Sequence, residues 1–236
     1  MAGASPRRSM RTTKAAAVVK DRSDEQGPAT ASDQNRMEIL RAAAKAFMEH
    51  GYAATSIDKV ASVLGTTKGR IYYCYKSKAD LFFDIHREAM LLNLSVIKPI
   101  ARGPGSAMER LRRMVAAHLD LVVSHLPMQR VSIQGVEMHL MTSTTPQQRR
   151  LLKSLISMRD EYERMFFDVV TQGIGAGEFR HFDARIVVKL LLGGLNWLTV
   201  WYRPRPNDTA EERQKIVDES AAFILYGVVG RAGSST

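Results

Sequence analysis

Thr67, Lys68, Gly69 and Arg70 follow one another directly after Gly65 and Thr66, and Tyr72, Tyr73 and Lys78 come within the next eight positions. These side chains donate hydrogen bonds to anions and to base edges; none is arranged to break a bond. Arg70 has the planar fork that fits guanine O6 and N7, and it fits a phosphate equally well. Gly69 lets a helix end come close to another molecule with no side chain in the way. The two tyrosines offer hydroxyls beside apolar rings, and one of them is expected in the core. Lys78 is placed for phosphate, and Thr55 for the same role from an earlier helix start. Taken singly, Lys68 or Arg70 is an ordinary solvated charge. The interval at which all of them recur favours recognition of nucleic acid.

The surrounding pattern has to position these groups. Ile39, Ala42, Ala43, Ala46 and Phe47 recur at three and four, which predicts a helix with one buried face, and Gly51 ends it. Thr55 with Asp58 and Ser77 with Asp80 have capping-box spacing, and Thr67 offers a third cap. Short helices are therefore expected over 57–64 and 68–75, with Gly65 supplying the turn between them. Val60, Ala61, Leu64 and Ile71 are spaced to share a small core. The unit reads as a helix-turn-helix with its supporting helix, the second short helix presenting its positive N-terminal end outward.

The rest of the chain keeps the helical period. Helices are expected over 82–97, 107–123, 129–141, 146–174, 183–201 and 209–229, punctuated by prolines and glycines. Pro146 suits a first turn, and Thr209 with Glu212 has capping-box spacing. The fold class is all-α, with about nine helices. Residues 1–32 read as a disordered basic arm, 33–80 as the helix-turn-helix domain and 81–236 as a larger helical domain. The arm carries Arg7, Arg8, Arg11, Lys14, Lys20 and Arg22 and has no aromatic residue, so it buries too little to offset its ordering entropy. An organellar transit peptide has similar composition. As a DNA-binding arm it would add phosphate or minor-groove contacts.

Across 236 residues, 34 Lys plus Arg stand against 24 Asp plus Glu, a net charge of +10. That surplus favours a polyanionic partner. The single cysteine, Cys74, excludes an internal disulfide and fits a reducing compartment. No uninterrupted apolar run reaches about 18 residues, so no membrane span is expected. Metal-ligand spacing, a Ser-His-Asp order, a phosphate loop and a dinucleotide fingerprint are all missing from the sequence. Gly173, Gly175 and Gly177 follow a helix and read as its terminator. An enzyme is not expected, and neither a cofactor nor a metal.

From Ile39 to Leu81 the chain resembles the N-terminal domain of the TetR family of bacterial transcriptional regulators. Thr55, Ile57, Val60, Ala61, Gly65, Thr67, Lys68, Gly69, Tyr72, Tyr73, Ser77, Lys78, Asp80 and Leu81 carry the resemblance. Thr66 stands where an apolar residue is usual and Arg70 where a small one is. Cys74 and Tyr75 occupy positions where His and Phe are common. The resemblance implies a homodimeric repressor of the bacterial cytoplasm that binds a palindromic double-stranded DNA operator and is released by a small-molecule inducer. The run Trp201-Tyr202-Arg203-Pro204 is similar to the branch that controls lipid and steroid catabolism, which implies an acyl-CoA inducer. An architectural DNA binder without inducer is the competing class.

For the inducer site, Met138, Met141, Met158, Arg159, Tyr162, Phe166 and Trp197 are expected to line an apolar tunnel, since methionine adapts to flexible ligands. Plain core packing is the competing reading of that stripe. For the dimer, the helix over 183–201 is apolar on more than one face and must be covered twice. Leu191, Leu195 and Leu198, with Phe223 and Ile224 on the last helix, are expected in a four-helix interface. The competing reading is the core of a monomer.

Overall fold

The computed structural model describes residues 31–140 and 145–226, with side chains over 31–133 and 145–225. Among them are nine α-helices: α1 (Ala31–His50), α2 (Ile57–Leu64), α3 (Lys68–Cys74), α4 (Lys78–Arg102), α5 (Ala107–Ser124), α6 (Leu126–Leu140), α7 (Pro146–Gly175), α8 (Ala184–Trp201) and α9 (Ala210–Tyr226). No strand occurs among the described residues. Residues 31 and 32, expected in the basic arm, are the first of α1; the arm up to residue 30 lies outside the described residues.

Local chemistry sets most helix starts. The Ser77 hydroxyl accepts from the Asp80 N–H at the head of α4, and Thr145 with Gln148 forms a full capping box on α7, with Pro146 in its first turn. Thr209 and Glu212 do the same for α9, as do Ser106 and Glu109 for α5. One cap differs from expectation. Ser56, not Thr55, caps α2, its hydroxyl accepting from the Lys59 N–H. The two hydroxyls are adjacent, and packing against α1 claims the first of them. Gly65 ends α2 at φ 66°, a left-handed conformation that glycine adopts without a Cβ penalty.

Two main cores share the described residues, with a small third cluster of Phe83, Leu152 and Leu155 between α4 and α7. The N-terminal core joins Ile39, Leu40, Ala43 and Phe47 of α1 to Val60, Ala61 and Ile71, and takes in Leu81, Phe82 and Ile85 from α4. The larger core joins Ile97 and Ala101 of α4 to faces of α5, α7, α8 and α9. The boundary drawn at 80/81 thus falls inside α4, a helix that belongs to both cores and runs unbroken through Pro99. Met128 and Val131 of α6 also reach the N-terminal core.

Helix α8 reaches a mean hydropathy of 1.3 over its 18 residues, enough by length and composition to cross a membrane. The apolar count is carried through Arg185 and Lys189, so no uninterrupted run gives it away. Its buried residues, Val188, Leu191, Leu195, Leu198 and Thr199, form one stripe facing the protein core.

An ion-pair cluster pins the first turns of α4 to α1 within the N-terminal unit. Arg36 Nε and Nη2 donate to the two oxygens of Asp84 at 2.9 and 2.6 Å, and Nη2 also reaches Glu88 at 2.7 Å. The Tyr75 hydroxyl donates to Asp84 at 2.7 Å. Burial alone would raise the Asp84 pKa, but the hydrogen bonds from Arg36 and Tyr75 outweigh it and hold it below its ordinary value. A carboxylate with a depressed folded pKa contributes stability above its unfolded pKa and loses it as pH falls through the folded one. Asp84→Asn should therefore destabilise the protein by about 2 kcal/mol at pH 7. In chemical denaturation the gap to wild type should close below about pH 4; an equal gap at both pH values would assign the loss to packing instead.

Candidate nucleic-acid interface and ligand cavity

The start of α3 stands clear of the protein. Thr67, Lys68 and Gly69 are exposed, and Thr67 caps the helix by backbone conformation with no side-chain bond to it. The first N–H groups of α3 therefore keep their donor capacity. A Cβ added at Gly69 would meet only Thr67 Oγ1, at 3.8 Å. Packing within the subunit does not demand glycine there, whereas close approach of another backbone would. Lys68 pairs loosely with Asp58 at 3.6 Å, a surface contact of little energetic weight. Tyr72 and Tyr73 are 52% and 90% exposed. Neither is core, contrary to expectation; the buried tyrosine is Tyr75, held by Asp84.

Three of the expected DNA contacts have other partners within the subunit. Thr55 is buried, and its hydroxyl donates to the carbonyls of Gly51 at 2.7 Å and Ala46 at 3.2 Å. It fastens the end of α1 and is not presented to phosphate. Lys78 Nζ donates to the carbonyls of Tyr52 and Ala53 and lies 4.4 Å from the Tyr52 ring centroid. Arg70 Nε donates to Asn35 Oδ1 at 2.7 Å, and Nη2 pairs with Glu38 at 2.6 Å. The Arg70 fork is folded back on α1. Glu38 and Asn35 lie more than 30 positions away in sequence, so local spacing carried no sign of them.

Below α4 lies a cavity of about 460 Å³. Met90 and Asn93 reach it from α4, His118 from α5, and Gln129, Ser132 and Ile133 from α6. Ile156, Arg159, Asp160, Tyr162 and Glu163 of α7 and Lys189, Leu192, Gly193 and Asn196 of α8 complete the lining. Of the tunnel residues expected from sequence, Arg159 and Tyr162 are there. Met158 packs half-buried against the core, Phe166 is fully buried within it, and Trp197 is 62% exposed on the outer face of α8. Met141 and the side chain of Met138 lie outside the described residues.

The lining is more polar than a methionine tunnel. Asn93 and Gln129 exchange amide hydrogen bonds of 3.1 and 2.7 Å. His118 Nδ1 and the Tyr162 hydroxyl are 2.8 Å apart. Burial pushes the His118 pKa down to about 4, with Asn196 opposing the shift, so the ring is neutral at pH 7. Burial raises the Tyr162 pKa and keeps it a phenol. An adjoining outer cleft shares Asp160, Glu163 and Lys189 and adds Arg164 and Arg185. Asn93 and His118 had a legible signal: each is polar on an otherwise apolar helical stripe, between Met90 and Ile97 and between Val115 and Leu119.

The outer faces of α8 and α9 differ from the expected dimer set. Leu191, Leu195 and Leu198 are buried in the subunit's own core, and Ile224 is half-buried against it. The uncovered apolar stripe is Ile186, Leu190, Trp197 and Trp201, with Phe223 81% exposed beside it. Trp197, Trp201 and Phe223 line a shared groove floored by Gly193 and Gly194. The apolar residues of α8 fall on two faces, and the three leucines expected at a dimer interface lie on the face that the subunit's own core buries.

The family model described as "Bacterial regulatory proteins, tetR family" matches residues 39–85, and that described as "Tetracyclin repressor-like, C-terminal domain" matches residues 104–228, more than half of the chain. The HTH-type transcriptional repressor KstR2 of Mycobacterium tuberculosis is 28% identical over 199 residues, 83% of this chain and 94% of its own length. The solved structure of that ketosteroid transcriptional regulator shares the fold with a TM-score of 0.73 at 21% identity, over 86% of this chain and 98% of the other. AibR, solved in complex with isovaleryl coenzyme A and operator DNA, has a TM-score of 0.65 at 21% identity, over 80% and 97% of the two chains.

Glu38 holds Arg70 away from the exposed end of α3. Glu38→Gln should raise affinity for duplex DNA about threefold to tenfold, roughly 1 kcal/mol, measured by fluorescence anisotropy at fixed salt. The gain should vanish in an Arg70→Ala background. Unchanged affinity would mean that Arg70 serves only to tie α3 to α1.

Proposed function

This chain belongs to the TetR family of bacterial regulatory proteins, and from that premise we propose that it is a ligand-responsive repressor of the cytoplasm. Two subunits grip a palindromic operator through the exposed ends of α3, and a small molecule in the cavity loosens the grip. The observation that carries the reading is the double duty of α4 and α6. Met90 and Asn93 line the cavity on the helix whose first turns lie in the DNA-binding core. Gln129 and Ser132 line it beside Met128 and Val131, which pack into that same core. A ligand that moves either helix moves the recognition unit.

A palindromic site needs recognition helices about 34–36 Å apart, or a multiple of that. The stripe on α8 with Phe223 is the surface proposed to set that spacing by pairing with its copy. For the inducer, an acyl-CoA or another lipid or steroid metabolite is favoured. The cations Arg159, Arg164, Arg185 and Lys189 around the cavity mouth suit phosphates. AibR, which shares the fold, is solved with an acyl-CoA, isovaleryl coenzyme A, and KstR2 is described as a ketosteroid transcriptional regulator.

Anisotropy with the chain's own upstream DNA, with and without a panel of CoA thioesters, tests the proposal. Binding to a short palindrome that is released by one thioester is the expected outcome. Broad binding without sequence preference, unaltered by any ligand, would instead favour an architectural DNA binder. Leu190→Glu, which places a charge on the stripe, should give a monomer by sedimentation and lower operator affinity at least roughly tenfold. A Leu190→Glu variant that remains dimeric would move the interface elsewhere.

A further inference from the structure

We propose that Phe83 is the positioning residue through which α7 passes occupancy of the cavity to the recognition unit, as α7 slides against α4 beside a cleft at the end of α3. The inference rests on the ligand-responsive reading above and adds α7 to the two helices that carry it.

Helix α7 touches both ends of that route. Ile156 lines the cavity and packs, half-buried, on the small cluster of Phe83, Leu152 and Leu155. Arg159 and Tyr162 line the same cavity within the next two turns, so the cavity wall and the cluster share one stretch of helix. Phe83 is 4% exposed. Its ring meets Phe82 edge-on at 6.3 Å. Phe82 packs in turn on Tyr52 at 4.9 Å and on Phe47 at 6.0 Å, around the end of α1. These rings lead from α7 into the core that seats Ile71 of α3.

The two sides of α4 are held differently. Toward α1, the Arg36 fork fixes orientation as well as distance. Toward α7, the contact at Phe83 is apolar. Apolar contact has no preferred direction, and on such surfaces packed helices shear. A cleft of about 240 Å³ adjoins the contact, bordered by Leu151, Ser154 and Leu155 of α7 and by Tyr75 and Asp84. The cleft gives α7 room to shift, and Tyr75, the first residue past α3, stands across it. Further along the two helices, Lys98 and Glu161 pair at 3.3 Å on exposed surface, where an ion pair resists little.

The test uses the full-length protein, its upstream DNA, and isovaleryl-, octanoyl-, oleoyl- and cyclohexanecarboxyl-CoA. Anisotropy and calorimetry read DNA affinity without ligand, thioester affinity, and the factor by which saturating thioester weakens DNA binding. Phe83→Leu should leave both affinities within about threefold and cut the release factor by about threefold to thirtyfold. Ile97→Val, a truncation where α4 enters the larger core, should leave all three unchanged. If Phe83→Leu does not fold, as judged by circular dichroism, Ser154→Leu takes its place. Ser154 is exposed, its replacement fills the cleft from α7, and the same release factor should fall. A release factor unchanged in the folded variant, or lowered equally by Ile97→Val, would overturn the role of Phe83 and leave the ligand-responsive reading standing. If no thioester of the four releases the DNA from the wild-type protein, the thioester reading falls and this inference with it.

Discussion

One guanidinium fixes the long helix α4 to the N-terminal unit. Arg36 of α1 forks onto Asp84 and reaches Glu88, and Tyr75, just past α3, donates to the same Asp84. Both acids lie on α4, so the first helix, the recognition helix and the long connecting helix meet at one part-buried carboxylate. An ion pair with this fork geometry fixes orientation as well as distance. It also makes α4 rigid with respect to the reading unit. The helix then continues into the second core, where Ile97 and Ala101 pack. Roughly 24 Å of helix separates the Ser77 cap from Asn93 at the cavity.

That geometry constrains how a signal travels. A ligand acts only through its difference in affinity between two arrangements, and about 5.5 kcal/mol moves a balance from 1:99 to 99:1. A few hydrogen bonds formed in one arrangement alone reach that scale. The cavity is lined by Asn93, Gln129, His118 and Asn196, on four helices that have to agree in position. Helix α6 adds a second route, since Met128 and Val131 enter the DNA-binding core between the cavity residues. Arg130 beside them donates to the Thr199 carbonyl at the end of α8. Cavity, recognition unit and outer stripe are therefore joined by packed elements.

Features set by neighbours in sequence were legible before the structure was known. Ser77 with Asp80 and Thr209 with Glu212 act within one helical turn and cap where their spacing said they should, and Pro146 stands in the first turn of α7 as expected. Ambiguity entered where tertiary contacts choose. Thr55 and Ser56 both qualify as a cap, and packing against Ala46 and Gly51 takes the first hydroxyl away. Arg70 looked free because Asn35 and Glu38 are distant in sequence. Helix α8 carries apolar residues on two faces on either side of Lys189 and Asn196, so its composition alone did not tell which face, that of Leu191 or that of Leu190, enters the core. The polar cavity was partly readable: Asn93 and His118 interrupt apolar stripes, but only the fold shows that the interruptions face a common space.

The coupling through α4 has a direct physical readout. Cys74 is the single cysteine of the chain, exposed at the end of α3, so one nitroxide per subunit reports the recognition-helix spacing by pulsed electron double resonance. On operator DNA, the inter-label distances in the proposed dimer should form one narrow distribution fixed by the half-site spacing. Saturating inducer should shift or broaden it. A distribution unchanged by a ligand that still releases the DNA would contradict transmission through α4.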